Sequence, residues 1–192
     1  MKRAFTLVEA LIVVAVIVVL AAFLWPVFAT VREGPSGPTS HCNSNLKQIG
    51  LGLIVYAEDY GGKFPPAHII PSAGWADSIY PYIKSPQTYQ CDKASNGAVK
   101  PLTTDYFYNK RLSGLLSNKI KQPADVLLLG DGEDNAPTWN AWTRLPAAAT
   151  TDFYSPSQRH RNGAIYGFAD GHAKWIEPQY LGPIAKWNPL TP

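Results

Sequence analysis

Cys42, Cys91 and His160 are the side chains of this sequence with the most reactive chemistry, because a thiol can act as a nucleophile or form a disulfide. The chain has 2 cysteines. Cys91 with His160 as its base could form a nucleophile pair. A Cys42–Cys91 disulfide is the simpler interpretation of the two cysteines. In an oxidising compartment, closing a loop of about 50 residues would stabilise the fold by roughly 4 kcal/mol. We therefore predict the disulfide, with two buried free thiols as the alternative.

An acidic cluster follows a strand-like run at residues 126–129 and consists of Asp131, Glu133 and Asp134. Glycines on both sides of Asp131 would let the backbone bend, and hard oxygen ligands on a bent loop suit Ca²⁺. The spacing is not that of an EF-hand, and a solvated turn is the ordinary alternative. These residues are a candidate calcium site, and we expect no other cofactor.

A second candidate lies near the C-terminus, where His160 precedes Asp170-Gly171 and His172 follows it. The two histidines could form a metal pair, although a structural role is the simpler interpretation. Asp-Gly is a strong tight-turn signal. We expect the His160 side chain to hydrogen-bond to this turn and hold it in place.

Other catalytic signatures are absent from the sequence, which contains no G-x-S-x-G, H-E-x-x-H, P-loop or C-x-x-C-H motif. The net charge of +3 is too small for a protein that binds nucleic acid by neutralising phosphates. Charged residues make up 16% and aromatic residues 12%, which excludes a disordered chain. We therefore predict a folded protein that is not an enzyme and has no nucleic-acid partner.

The part of the chain that precedes these groups contains an apolar segment of 20 residues, Ala10 to Ala29. A helix of that length rises about 30 Å, the thickness of a bilayer core. Lys2 and Arg3 precede it, which predicts a cytoplasmic N-terminus and an extracytoplasmic remainder. A cleaved secretory signal is the alternative, but its apolar core is typically only about 7–15 residues long.

Three features of this segment are unusual for a plain anchor. Glu9 lies at its start, where a carboxylate needs a partner. Pro26 lies in the last turn of the predicted span and should kink or locally open the helix. A run of β-branched residues between positions 12 and 19 makes the helix stiff and ridged, which suits packing against copies of itself.

The segment Ala4-Phe5-Thr6-Leu7-Val8-Glu9-Ala10 resembles the N-terminal signature of type IV pilins and type II secretion pseudopilins. The resemblance implies cleavage between Ala4 and Phe5 by an inner-membrane prepilin peptidase, followed by N-methylation of the new terminus. Glu9 would then be the fifth residue of the mature chain, and Pro26 the twenty-second, where many pilins also have proline. The sequence departs from the family at Ala4, where glycine is usual.

The resemblance continues beyond the membrane segment. The run from Cys42 to Leu51, and the H-x9-D-G spacing from His160 to Asp170-Gly171, resemble a large group of bacterial pseudopilin-like proteins. Some pseudopilins bind calcium in a C-terminal loop, so the resemblance also implies that the acidic cluster could bind calcium. The fold implied is pilin-like, with a long N-terminal helix and a globular head.

The domain prediction follows from these patterns. Residues 1–4 form a cleaved leader, 5–31 a transmembrane and filament-core helix, and 32–39 a Gly/Pro hinge. Residues 40–177 form an α+β head, and 178–192 a Pro-rich extended tail on the surface. The head should begin with a helix capped at Thr39 or Ser40 and ended by Gly61-Gly62. Its buried face is predicted to contain Cys42, Leu46, Ile49, Leu53 and Tyr56.

Short β-prone runs follow and predict a mostly antiparallel sheet. They lie at residues 88–90, 106–108, 126–129, 164–169 and 173–176. The last two flank Asp170-Gly171 and should form a hairpin.

The function predicted from the resemblance is a structural subunit of a pilus-like or pseudopilus-like filament, assembled through Phe5, Glu9 and Pro26. Its expected partners are copies of itself in a helical filament, the prepilin peptidase, an inner-membrane assembly platform and, before assembly, membrane lipid. Its expected location is the inner membrane and then a periplasmic or cell-surface filament. The alternatives are a single-pass anchored binding or enzymatic head that does not polymerise, and a secreted soluble domain.

Overall fold

The computed structural model describes residues 7–30, 37–94 and 103–191, without the side chains of residues 23–30 and 37–39. The chain divides into two compact units, Met1–Gly37 and Pro38–Pro192. The predicted cleavage site at Ala4 and Phe5, and most of the predicted hinge, lie outside the described residues.

Helix α1 spans Leu7–Thr30 and continues through position 26, so it does not end at the proline. All of its described side chains, at residues 7–22, are exposed. Glu9 lies in the first turn. Within the described ranges, none of the helices combines the length and the apolar character needed to cross a bilayer. The membrane span therefore stays a prediction.

Helix α2 spans Gly37–Asp59 and opens the second unit. It begins two to three residues earlier than predicted and includes Pro38 in its first turn. Proline is tolerated there because the N–H that it lacks would have no hydrogen-bond partner within the helix. Its apolar stripe is confirmed, since four of the five predicted residues are fully buried and Tyr56 is half-buried. The predicted end is also confirmed, with Gly61 and Gly62 at φ values of +66° and +82°.

The rest of this unit contains a two-stranded and a five-stranded sheet. The strands in chain order are β1 His68–Ile69, β2 Ala73–Gly74, β3 Thr103–Asn109, β4 Leu127–Pro137, β5 Ala141–Trp142, β6 Ala164–Phe168 and β7 Ala173–Ile176. β1 and β2 form a separate antiparallel pair, and the large sheet has the order β5-β3-β4-β6-β7. Among the described strands of this sheet, β3 and β5 pair in parallel and the other neighbours are antiparallel. The α+β class with a mostly antiparallel sheet is therefore confirmed.

Side chains alternate between the two faces of the sheet. Tyr106, Tyr108 and Ile165 belong to a buried cluster shared with the α2 stripe and with helix α3, Trp75–Ile83. Phe107 and Tyr166, one position along on β3 and β6, belong to a second cluster. The sheet therefore has a core on each face, and α2 covers one of them.

The second core corrects the prediction for the C-terminus. Residues 178–184 form helix α4, Pro178–Ile184, instead of an extended surface tail. Leu181 is buried in the second cluster, and the Leu127 N–H donates to the Lys186 carbonyl at 2.9 Å. Proline at the first helical position is compatible with a helix, so a proline-rich composition did not exclude one.

Two strand predictions have different outcomes. The predicted strand at 88–90 is wrong, because Pro86–Tyr89 form a 3-10 turn. The predicted hairpin is confirmed, with β6 and β7 antiparallel and Ala164 opposite Ile176. Gly171 has φ of +91°, which a residue with a side chain rarely adopts.

Candidate functional site

The head brings together three side chains that are far apart in sequence: Cys42, Cys91 and His160. Cys42 is the first residue of the buried α2 stripe. Cys91 follows the 3-10 turn 86–89, and its N–H donates to Asp105 Oδ2 on β3 at 2.7 Å. His160 lies shortly before β6, where its N–H donates to the Gly163 carbonyl at 2.9 Å. Backbone hydrogen bonds therefore fix the last two, and helix packing fixes the first.

Asp131 supplies a carboxylate to this cluster from the middle of β4. Its Oδ2 accepts a hydrogen bond from the Ile165 N–H on β6 at 2.7 Å, and the residue is fully buried. The neighbouring glycines allow close packing, and the β3–β4 register shifts between the pairs Tyr106–Asp131 and Thr104–Ala136. A Cβ at Gly132 would lie 2.7 Å from the Phe107 backbone nitrogen, and one at Gly130 would lie 2.7 Å from the Tyr166 ring.

The geometry of the cluster is compact. His160 Nε2 lies 3.4 Å from Cys91 Sγ and 3.3 Å from Asp131 Oδ2. The two sulfurs and this nitrogen all lie within 4.8 Å of one another. Cys42 Sγ also donates to Asp92 Oδ1 at 3.1 Å. The cluster therefore places two thiols, one imidazole and one carboxylate in a single buried volume.

The electrostatics distinguish the two thiols. Contact with the Cys42 sulfur, together with the hydrogen bond to His160, lowers the pKa of Cys91, although burial acts in the opposite direction. The same Cys42–Cys91 contact raises the pKa of Cys42. Burial lowers the pKa of His160, but its hydrogen bonds to Asp131 and Cys91 outweigh this effect and raise the pKa to about 9. Cys91 is therefore the thiol that ionises first.

This arrangement is not that of a nucleophilic triad. In a triad the acid and the nucleophile contact different nitrogens of the histidine. Here Cys91 and Asp131 both face Nε2, and Nδ1 of His160 has no hydrogen-bond partner among the described residues. All three side chains are also buried, so a substrate would have no direct access to the sulfur. The geometry does not favour the Cys91–His160 nucleophile pair.

The predicted contact between His160 and the hairpin turn is wrong for the side chain. The His160 imidazole faces the cluster, whereas Asp170 Oδ1 lies 2.6 Å from His172 Nδ1. The backbone of His160 does reach the hairpin, because Trp175 Nε1 on β7 donates to the His160 carbonyl at 2.7 Å. His172 lies on the exposed turn and stacks on Phe168, so the two histidines do not form a pair.

The predicted calcium loop is part of strand β4, so its description as a loop after a strand is wrong. Asp131 is buried in the thiol cluster, Glu133 is exposed, and Asp134 forms an ion pair with Arg159. In the ranges that the structure describes, the group of ligand-type side chains within ligating distance of one another is Cys42, Cys91 and His160. Calcium binding stays a prediction.

The disulfide also stays a prediction. Both cysteines are free thiols in the structure, and they lie side by side in the cluster. Sequence reasoning missed Asp131 as their neighbour. The available signal was its position directly after Leu127-Leu128-Leu129-Gly130, because a carboxylate continuing a buried strand needs polar partners.

The predicted assembly residues lie in or before α1. Phe5 lies outside the described residues, Glu9 lies in the first turn of α1, and Pro26 lies within the helix. Glu9 is exposed.

Comparison with known proteins identifies one region. Residues 1–25 match the family described as "Prokaryotic N-terminal methylation motif". No curated protein and no solved structure matches the chain. The matched segment contains Ala4, Phe5, Glu9 and most of α1. The motif therefore indicates a type IV pilin-like or pseudopilin-like protein.

Proposed function

We propose that this chain is a structural subunit of a type IV pilus-like or type II secretion pseudopilus-like filament. The observation that carries the proposal is the methylation motif leading directly into α1. The described side chains of this helix are exposed on every side and, apart from Glu9, apolar. A helix that is apolar all round is stable only where lipid or other protein covers it. In a filament subunit, lipid covers such a helix before assembly and neighbouring subunits cover it afterwards.

The processing steps follow from the same motif. A prepilin peptidase cuts between Ala4 and Phe5, and the new amino group is methylated. The precursor waits in the inner membrane with its N-terminus in the cytoplasm, and an assembly platform then moves it into the filament. The head carries no catalytic function in this proposal.

Glu9 has a specific task in assembly. After cleavage, the amine of Phe5 is positive and Glu9 is negative, one helical turn apart. Within one helix the two charges compensate each other only in part. An axial offset between neighbouring stems brings the amine of an incoming subunit beside Glu9 of a subunit already in place. Removing one charge from such a low-dielectric contact costs roughly 3–5 kcal/mol.

The Glu9→Ala variant tests this proposal. We expect membrane insertion and cleavage to stay largely intact while filament formation falls strongly, as measured by immunogold imaging and by immunoblotting of sheared filaments. Glu58→Ala is the matched control, because Glu58 is an exposed carboxylate of α2 in the head. Normal filaments from Glu9→Ala at normal subunit levels would show that this carboxylate does not direct assembly.

A single-pass anchored head that does not polymerise is the alternative outcome. It predicts that neither variant changes the state of the protein, because an anchor has no subunit contact at Glu9. The imaging experiment separates the two, since the anchored protein would give no filament signal even in the wild type.

A further inference from the structure

The thiol cluster has the ligand types of a zinc site. Tetrahedral zinc is held by thiolates at about 2.3 Å and by imidazole at about 2.0–2.1 Å. These bond lengths place a sulfur and a nitrogen about 3.6 Å apart and two sulfurs about 3.8 Å apart. Cys91 Sγ and His160 Nε2 are 3.4 Å apart, and all three atoms lie within 4.8 Å. Small side-chain adjustments would therefore complete the geometry.

A fourth ligand is available from Asp131. Its Oδ2 is used by the Ile165 N–H, but Oδ1 is buried and has no hydrogen-bond partner among the described residues. A buried carboxylate oxygen without a partner is costly. Coordination to a cation would satisfy it, and Asp131 Oδ2 lies 3.3 Å from one of the ligand atoms, His160 Nε2, beside the group that the two sulfurs and this nitrogen form.

The charges of the surroundings also fit a divalent cation. Two thiolates and the Asp131 carboxylate carry three negative charges in a volume closed to water. Arg159, which is 8% exposed and donates to the Gly132 carbonyl at 2.8 Å, contributes one positive charge near Cys91. Because Arg159 also forms an ion pair with Asp134, these groups keep a surplus of negative charge, which a cation of charge +2 would reduce. Sulfur and imidazole ligands favour zinc-type ions over calcium or magnesium.

We propose that Cys42, Cys91 and His160, with Asp131 as the oxygen ligand, bind one Zn²⁺-type divalent cation in the head. Binding forms two metal–sulfur bonds, one metal–nitrogen bond and one metal–oxygen bond, and it releases to solvent the protons that the two sulfurs and His160 Nε2 hold beforehand. The site does not depend on whether the chain assembles into filaments. A Cys42–Cys91 disulfide would use the same sulfurs, but it requires an oxidant to take two electrons and two protons. A disulfide would also leave the buried Asp131 Oδ1 without a partner.

Cobalt titration of the full-length protein tests the site. The protein in detergent is reduced, freed of metal with a chelator and titrated anaerobically with Co²⁺. We expect one Co²⁺ per chain, with the thiolate charge-transfer and tetrahedral d–d absorption bands, and we expect Zn²⁺ to displace it. Cys42→Ser, Cys91→Ser and His160→Gln should each weaken binding by at least about 10-fold. His172→Gln, on the exposed turn, is the control and should bind as the wild type does.

Circular dichroism of each variant separates loss of a ligand from loss of folding, and the wild-type titration does not depend on any variant. The proposal is overturned if reduced, folded wild type gives no tetrahedral cobalt spectrum. It is also overturned if protein purified without reductant or chelator contains no bound metal and carries a Cys42–Cys91 disulfide by mass spectrometry. Zinc at one equivalent in that preparation, with both thiols alkylated after chelation, supports it.

Discussion

Helices α1 and α2 are almost equal in length, with 24 and 23 residues, yet they place their apolar side chains in opposite ways. Apart from Glu9, the described side chains of α1 are aliphatic in every direction, and all of them are exposed, as Ile17 is at 58%. Those of α2 form one stripe that is buried against the sheet, with Leu46 at 0%. The apolar surface of α2 is buried within the head, and we propose that lipid or another subunit covers that of α1. On this proposal, the difference separates the residues that fold the head from those that assemble the protein.

A charge placed in α1 should have the largest effect on assembly. Asp at position 17 would cost about 2.5–3.5 kcal/mol in the centre of a bilayer and would disrupt an aliphatic stem bundle. We expect Ile17→Asp to abolish filaments, as measured by immunoblotting of the sheared fraction, and to leave the melting temperature of the head unchanged. Ile17→Leu is the control and should assemble normally. A loss of head stability in Ile17→Asp would contradict the division between the two helices.

A truncation in α2 should have the opposite pattern. The second unit, from Pro38 onward, contains both buried clusters, so we expect it to be a soluble monomer when expressed alone. In this fragment, Leu46→Ala should lower the free energy of unfolding by about 2–5 kcal/mol, because it leaves a cavity between α2 and the sheet. Urea denaturation followed by circular dichroism measures the change.

Leu51 provides the matched control for that experiment. It lies on the same helix but is 56% exposed, so Leu51→Ala should change the free energy of unfolding by no more than about 0.5 kcal/mol. Equal losses from the two substitutions would mean that α2 does not pack on the sheet through its predicted stripe.

The features that the sequence predicted correctly are those set by local chemistry. The α2 stripe follows from spacings of three and four residues, and the β6–β7 hairpin follows from Asp170-Gly171. The errors arise where distant residues decide the structure. Leu181 makes α4 a part of the second core, which its proline-rich surroundings did not indicate. Gly132 lies where the β3–β4 register shifts, and it also permits a close contact with β3 that the sequence did not indicate.

The thiol cluster shows the same limit. Cys91 and His160 are 69 residues apart in sequence, and the sheet order that brings them together cannot be obtained from spacing. The sequence identified both side chains as reactive and assigned His160 to the wrong neighbour. Asp131 contacts His160 in this cluster, and its strand was predicted to end before it. The predicted processing at Phe5, in contrast, depends on a local motif, and residues 1–25 match the family model of that motif.

The most direct test of the account is the mass of this chain in the sheared filament fraction of the organism that makes it. If the protein is a filament subunit, this fraction contains a polymerised chain that begins at Phe5, with one methyl group on its terminal amine and residues 1–4 removed. An intact Met1, a start near Val31, or a chain found only as a membrane-bound monomer would contradict the proposal that this protein is a filament subunit.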